Sequence, residues 1–228
     1  MTLTVREAKI LNAAIEAFIE TGEPVSSQRL YNGYRFGIKP AMIRHELEAL
    51  TEDGYLAQPY HSAGRIPLDK GFDFFARCAL SESCENRRQA QNDFQRLFAA
   101  QAWDDLLAEF AEDFGVAGVL GDARGEVTKE GLDYLVEHLA WETPQELQRV
   151  VRDFLDVDER IGEIMESWKG APLQIFIGRS PVTESEELSV VMGRYQSKDG
   201  DVALCAIGPK RMNYRRVIHV MRNMGANE

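Results

Sequence analysis

The chain has 228 residues, 44% of them apolar and 28% charged, which suits an ordinary globular protein of two modest domains. No stretch approaches the roughly 18 uninterrupted apolar residues that a membrane span requires, and the first residues lack the apolar core of a signal peptide, so we expect a cytoplasmic protein. The net charge of −11 argues against an overall basic surface for nucleic acid and leaves only a local cationic face for that role.

The chain begins with two predicted helices. Thr4 and Glu7 have the spacing of a capping box, which predicts the start of the first helix. That helix is amphipathic and is predicted to end where Thr21 is followed by a glycine. Ser26 can cap a second, shorter helix that ends near Tyr31, because its hydroxyl can accept a hydrogen bond from an otherwise free backbone amide.

A third helix is predicted to begin near Pro40, since proline lacks the amide that a first helical turn leaves without a partner. Its apolar side chains Ile43, Leu47 and Leu50 have the spacing of a buried stripe, so the opposite face should meet solvent. The side chains on that opposite face are Lys39, Met42, Arg44, His45 and Glu48.

The charge is unevenly distributed along the chain. Residues 1–80 carry nine Lys and Arg against ten Asp and Glu, a net charge of −1, so residues 81–228 carry the remaining −10. Residues 24–45 contain four Lys or Arg side chains and no acidic one. Because phosphate contact requires only a local cationic face, this region can bind DNA although the whole chain is acidic.

The most informative segment is the loop that follows the third helix. The helical pattern closes at Gly54, and residues 58–71 then form a loop with two prolines and a single arginine, Arg65. Three helices followed by such a loop are typical of a winged helix-turn-helix domain. The third helix would lie in the major groove of DNA, and the loop would be the wing.

This interpretation assigns a role to each group of polar side chains. In the third helix, Arg44 could bond a guanine edge, Met42 could meet a thymine methyl, and His45 could donate to an acceptor or phosphate. In the wing, Gly64 would let the backbone approach the duplex, and Arg65 would reach phosphate or a narrow minor groove. Side chains at the start of the second helix would hold phosphates. The predicted DNA-binding set is Ser26, Ser27, Arg29, Lys39, Met42, Arg44, His45, His61, Ser62, Gly64 and Arg65.

A protein-interaction role is the alternative for the same domain. Winged helices also serve as interaction modules, and Arg44 and Arg65 would then be ordinary solvated charges. Catalysis is not expected, because the His45-Glu46 pair lacks the second histidine of a metalloprotease helix and His61 and Ser62 are merely neighbours in a loop. We also expect no cofactor and no metal site, and the cysteines Cys78, Cys84 and Cys205 are expected to be buried or idle thiols.

The remainder of the chain alternates helices and strands. The predicted helices are residues 69–80, 89–114, 132–139, 144–168 and 213–224, and the predicted strands are residues 116–120, 173–177, 188–195 and 202–207. The β-branched content of the last two strands and the turn at residues 198–201 favour a hairpin.

Two motifs at opposite ends of the chain resemble those of the heat-inducible transcription repressors of the HrcA family. The first motif comprises Glu20-Thr21-Gly22-Glu23-Pro24-Val25-Ser26-Ser27, Ile43-Arg44, Gly54-Tyr55-Leu56, Gln58-Pro59, Ser62-Ala63-Gly64-Arg65-Ile66-Pro67 and Asp69-Lys70-Gly71. The second comprises Gly208-Pro209-Lys210-Arg211-Met212-Asn213-Tyr214 and Arg216-Val217-Ile218. The resemblance implies a dimeric repressor that binds an inverted-repeat operator upstream of chaperone genes. It also implies a GAF-like C-terminal part and a role of the chaperonin GroEL in maintaining the active repressor.

The chain departs from the family pattern at two places. The family's recognition helix usually opens with small hydroxyl residues and has Asn at the position of His45, whereas this helix opens Lys39-Pro40-Ala41-Met42. Family members are usually longer and carry extra strands and an inserted dimerisation segment, while here only residues 121–129 separate the strand at 116–120 from the following helix. The resemblance therefore implies a shortened member of the family.

The predicted fold class is α+β, a winged helix-turn-helix followed by a reduced GAF-like α/β domain. We expect a DNA-binding domain at residues 1–75, connecting helices at 76–114 and a regulatory and dimerisation domain at 115–228. The expected function is repression of heat-shock genes. The alternative is a winged-helix regulator of other genes whose C-terminal domain senses a small molecule or a protein partner.

Overall fold

The computed structural model describes residues 3–82, 88–139, 143–169 and 171–224. The chain forms two compact units, Met1–Cys78 and Ala79–Glu228. The helices that begin in the first unit are α1 (Val5–Thr21), α2 (Ser27–Gly33), α3 (Pro40–Glu52) and α4 (Asp69–Ser81), and its strands are β1 (Leu56–Ala57) and β2 (Ile66–Pro67).

The first two helices are capped as the sequence predicts. The Thr4 hydroxyl accepts a hydrogen bond from the Glu7 amide at 3.2 Å, and the Glu7 carboxylate accepts one from the Thr4 amide at 2.7 Å, which confirms the capping box. α1 ends at Gly22, whose φ of 68° is left-handed and costs glycine no steric strain. The Ser26 hydroxyl caps α2 by accepting a hydrogen bond from the Arg29 amide.

The buried stripe of α3 is also confirmed. Ile43, Leu47 and Leu50 are almost fully buried, and α3 packs against both α1 and α2. Leu30 of α2 is fully buried in the same unit. The opposite face of α3 is consequently turned to solvent.

The wing is a small antiparallel sheet with a contribution from the connector between α1 and α2. Leu56 pairs with Pro67 and Ala57 with Ile66. Val25 forms an isolated antiparallel bridge to Arg65, with hydrogen bonds of 2.8 Å in both directions between their backbones. Residues 20–27 and 62–67, which both belong to the first of the two resemblance motifs, therefore meet at this bridge.

The second unit is built on one five-stranded antiparallel sheet in the order β4-β3-β7-β6-β5. Its strands are β3 (Ala117–Asp122), β4 (Val127–Glu130), β5 (Leu173–Ile177), β6 (Leu188–Ser197) and β7 (Gly200–Pro209). Its helices are α5 (Arg88–Ala100), α6 (Trp103–Phe114), α7 (Leu132–His138), α8 (Pro144–Ser167) and α9 (Tyr214–Met224). The predicted hairpin of the last two strands is confirmed as β6–β7.

Helices cover both faces of this sheet. A Cβ on Gly121 would meet Ile161 of α8, whereas one on Gly118 would meet Leu107 of α6, so neighbouring residues of β3 face opposite layers. On the α6 side, the Tyr195 hydroxyl of β6 donates a hydrogen bond to a backbone carbonyl of α9 at 2.7 Å. None of the described helices is long and apolar enough to cross a membrane.

Two predictions for the second unit were wrong. The helix predicted at residues 89–114 is two helices, because Gln101 adopts a left-handed φ of 57° and the amides of Gln101 and Ala102 bond to carbonyls of Phe98 and Leu97, a Schellman-type end. The segment 121–129, predicted without a strand, contains most of β4, which pairs with β3.

A buried carboxylate fixes the loop between β5 and β6 to α8. Asp153 is 3% exposed and accepts hydrogen bonds from the amides of Glu184 and Ser185 at 2.9 and 2.8 Å. It also accepts one from the Arg160 guanidinium at 2.8 Å, and this bond raises the pKa of Arg160. Arg160 donates in addition to the carbonyl of Val182 at 3.0 Å, so this charged pair holds residues 182–185 of the loop to α8.

The cysteines allow a chemical test of the second unit. Cys205 is buried in β7, and burial raises the pKa of its thiol to about 12; Cys78 is half-buried, and Cys84 lies outside the described residues. Because the thiolate is the reactive form, we expect a maleimide at neutral pH to modify Cys78 in native buffer but Cys205 only after denaturant is added. Peptide mass spectrometry of timed samples checks this. Equal labelling rates of the two thiols in native buffer would contradict it.

Candidate nucleic-acid interface

The exposed face of α3 carries the side chains that the sequence assigns to base reading. Lys39, Arg44 and His45 are exposed, and Met42 is 45% exposed although it is a large apolar residue. Lys39 occupies the position before the first helical turn and makes no side-chain cap. The buried stripe and the helical spacing thus put these four side chains on the surface of one helix.

Arg44 forms an ion pair within α3. Its Nε lies 3.2 Å from a carboxylate oxygen of Glu48, and the two side chains are 75% and 45% exposed. Exposed pairs of this kind stabilise a helix by only about 0.3–0.5 kcal/mol. Arg44 is therefore able to exchange Glu48 for a guanine edge or a phosphate at little cost.

Ser26, at the start of α2, caps the helix and is also exposed to solvent. Ser26 is exposed, but its hydroxyl oxygen accepts the hydrogen bond that caps α2. Ser27 and Arg29 are half-buried. A capping hydroxyl still has a proton to donate, so the cap and a phosphate contact are compatible at Ser26.

Gln58 shapes the tip of the wing. Its side-chain amide donates to the backbone carbonyls of His61 and Ala63 at 2.8 and 3.0 Å. The Ala63 amide in turn donates to the carbonyl of Tyr60 at 2.8 Å. His61 and its neighbour Ser62 are exposed on the resulting turn.

The structure gives Gly64 and Arg65 an internal role. A Cβ on Gly64 would lie 2.6 Å from the carbonyl carbon and oxygen of Val25 and 2.7 Å from the carbonyl carbon of Pro24, so the two backbones touch. The Arg65 Nε donates to the Thr51 hydroxyl at 2.9 Å, and this hydroxyl donates to a carbonyl of α3 at 2.7 Å. Arg65 thereby ties the wing to the end of α3.

A groove lies at the turn between α2 and α3, and of the predicted DNA-binding residues Lys39 lines it. An open cavity of about 800 Å³ is lined by residues 31–39, among them exposed Arg35 and Tyr31, which is 47% exposed. Tyr34 and Phe36 stack with ring centroids 5.8 Å apart and form its apolar wall. The signal available in the sequence was the alternation of aromatic and basic residues in a stretch without acids. Tyr60 on the wing is likewise 64% exposed.

The described residues contain no group of three or more His, Cys, Asp or Glu side chains that could hold a metal ion. The histidine and serine of the wing tip lie on an exposed turn, and the Gln58 side-chain amide holds this turn by donating to the backbone carbonyl of His61. The surface of the first unit thus offers donors, cations and aromatic rings on a helix and a loop.

Comparison with known proteins identifies the family. The model described as the HrcA protein C terminal domain matches residues 75–218, well over half of the chain. The heat-inducible transcription repressor HrcA of Thermobifida fusca is 27% identical over 212 residues, which are 87% of this chain and 60% of that protein. The repressor of the same name from Symbiobacterium thermophilum is 40% identical over 109 residues, 46% of this chain and 31% of that protein.

A solved structure has the same fold. The crystal structure of a hypothetical protein superposes with a TM-score of 0.79 at 18% identity and covers 98% of this chain and 96% of that one. The chain spans three fifths or less of the length of the curated relatives it matches here. The relatives are named as transcription repressors, which is not an enzymatic role. From the match over residues 75–218, the chain belongs to the HrcA family.

Proposed function

We propose that this protein is a sequence-specific DNA-binding repressor of heat-shock genes that encode chaperones. The observation that carries the proposal is the solvent-facing side of α3, where Arg44, His45 and Met42 stand opposite a buried stripe beside a well-defined wing. A helix presented in this way fits the major groove, whose donor and acceptor pattern distinguishes all four base pairs. The relatives named as heat-inducible repressors support the choice of genes.

The predicted contacts divide into reading and positioning groups under this proposal. Arg44 and His45 read base edges, and Met42 meets a thymine methyl. Ser26, Ser27, Arg29 and Lys39 hold phosphates, and so do the exposed His61 and Ser62 of the wing. Gly64 and Arg65 act mainly by holding the wing in place, with the outer nitrogens of Arg65 reaching the backbone of DNA.

The same proposal includes the assembly and control of the repressor. A two-fold dimer would bind an inverted repeat whose half-sites are about one helical turn, or a multiple of it, apart. It would act in the cytoplasm, and the chaperonin GroEL would help to maintain its active form. The shared family membership supports the dimer and the role of GroEL, and both are properties of the whole repressor.

The experiment is an anisotropy titration of purified protein against inverted-repeat DNA from a chaperone promoter, with a scrambled duplex of equal length as competitor. We expect preferential binding to the repeat and a linear fall of log affinity with log salt, because phosphate neutralisation releases counterions. Equal affinity for the two duplexes at every salt concentration would overturn the proposal of operator recognition.

The base-reading role of Arg44 has a matched control in Arg77. Both are exposed arginines in an i,i+4 ion pair, Arg44 with Glu48 on α3 and Arg77 with Asp73 on α4. We expect Arg44→Ala to weaken operator binding by about 1–3 kcal/mol and to narrow the preference over scrambled DNA. Arg77→Ala should change neither quantity, since α4 is not the reading helix. The titration above measures both variants, and an equal loss for both duplexes with Arg44→Ala would rule out base reading.

A further inference from the structure

The edge strand β5 has an unused row of backbone hydrogen-bonding groups. Among the described strands it pairs only with β6, at one end of the sheet. The Gly178 amide bonds to the Leu188 carbonyl, which places the even-numbered residues of β5 in the pairs hydrogen-bonded to β6. The N–H and C=O groups of Leu173, Ile175 and Ile177 therefore point away from the sheet.

The side chains at this edge are apolar and only half covered. Leu173, Ile175 and Ile177 are half-buried on one face of the sheet, and Phe176 is half-buried on the other, where it packs against the core beneath α8. Trp168, just after α8, is half-buried against the same core. Both faces of the sheet thus leave apolar surface incompletely covered beside the open row of backbone groups.

Exposed edges in monomeric proteins usually carry charges, prolines or bulges that discourage further pairing. Residues 173–178 contain none of these, although 28% of the chain is charged. The opposite edge of the sheet is different, because β4 has four residues, two of them charged, and its Lys129 forms an ion pair with Asp158 at 2.7 Å. Of the two edges of the sheet that the structure describes, the β5 edge is the one suited to receive another strand.

We propose that β5 pairs antiparallel with β5 of a second copy of this chain, so that two sheets join into one of ten strands. A two-fold axis beside Ile175 places this residue opposite its own copy and Leu173 opposite Ile177. In that register the outward-pointing groups face one another and form about six main-chain hydrogen bonds. The half-covered side chains on the two faces then cover each other across the axis.

A second copy fits this edge better than a partner of another kind. The strand itself carries no charged side chain that would attract a charged partner. The strand is self-complementary, because every outward residue meets an apolar residue of its copy. The biological role of this dimer rests on the proposed function: it would supply the two-fold symmetry that an inverted repeat requires.

The test is sedimentation equilibrium of the whole chain in the absence of DNA. We expect the wild type to dimerise, and Ile175→Lys to weaken the dimer at least about 100-fold, because two like charges meet on the axis. Leu155→Lys is the matched control, since it places the same charge at a 61% exposed apolar residue of α8 away from this edge, and it should dimerise as the wild type does. A monomeric wild type, or equal dimerisation of Ile175→Lys, overturns the proposal.

A second variant keeps the test decisive if the lysine disturbs folding. Residues opposite each other in a hydrogen-bonded antiparallel pair have Cα atoms about 5.5 Å apart, which suits a disulfide. Ile175→Cys should crosslink into a covalent dimer under mild oxidation, whereas Leu155→Cys and the wild type should not. Failure of folded Ile175→Cys to crosslink overturns the proposal. Because association is measured without DNA, a failure of DNA binding leaves these results intact and is recognised separately.

Discussion

Replacing Gly64 by alanine is expected to unfold the wing and to abolish specific DNA binding. The added Cβ would lie 2.6 Å from backbone atoms of Val25, and backbone cannot move aside as the tip of a flexible side chain can. Separation of the two segments would break the pair of 2.8 Å hydrogen bonds between Val25 and Arg65. We expect a loss of about 3 kcal/mol in the free energy of unfolding of the first unit.

A second glycine of the first unit provides the control. A Cβ on Gly33, at the end of α2, would meet nothing within 4 Å, so Gly33→Ala should be neutral or stabilise by up to about 1 kcal/mol. Urea unfolding followed by circular dichroism measures the loss. The three tryptophans all lie after residue 78, so their fluorescence should report an unchanged second unit. Equal stability of the two alanine variants would contradict the close contact.

Replacing Asp153 by alanine is expected to destabilise the second unit strongly. The carboxylate accepts two amide hydrogen bonds from Glu184 and Ser185 and one from the Arg160 guanidinium. Removal of one member of a buried ion pair leaves uncompensated donors and typically costs about 3–5 kcal/mol. The midpoint of the fluorescence-monitored urea transition should fall accordingly.

The matched control is another aspartate of α8. Asp158 is 49% exposed and pairs with Lys129 at 2.7 Å. Because the pair is open to solvent, Asp158→Ala should cost less than about 1 kcal/mol. If Asp153→Ala proved as mild as Asp158→Ala, the carboxylate of Asp153 would not be what holds the loop between β5 and β6.

Local rules predicted the first unit well because each of its signals depends on neighbours in the chain. The capping box of Thr4 and Glu7 needs only a spacing of three residues, and the buried stripe of α3 needs only helical periodicity. The contacts that organise the predicted site are different. The hydrogen bond from Arg65 to Thr51 and the close approach of Gly64 to Pro24 join different segments of the chain. Helical or strand periodicity cannot predict such contacts.

The errors in the second unit have a similar cause. A left-handed residue at a helix end is usually glycine. Here that residue is Gln101, so nothing in the sequence indicates the break between α5 and α6. Strand β4 contains Lys129 and Glu130, which are poor strand formers. Its hydrogen bonds to β3 stabilise the extended conformation that its residue types do not favour. In both cases the structure is set by backbone hydrogen bonds that the residue types do not signal.

The bridge between Val25 and Arg65 has a practical consequence for protein engineering. Grafting only the third helix of a related protein onto this scaffold would replace Thr51, the hydrogen-bond partner of Arg65, and grafting only the wing would place a foreign loop against Pro24. Under the proposed function, a chimaera should therefore exchange residues 24–67 as one block. A chimaera cut inside that block would separate α3 from the wing segments that contact it.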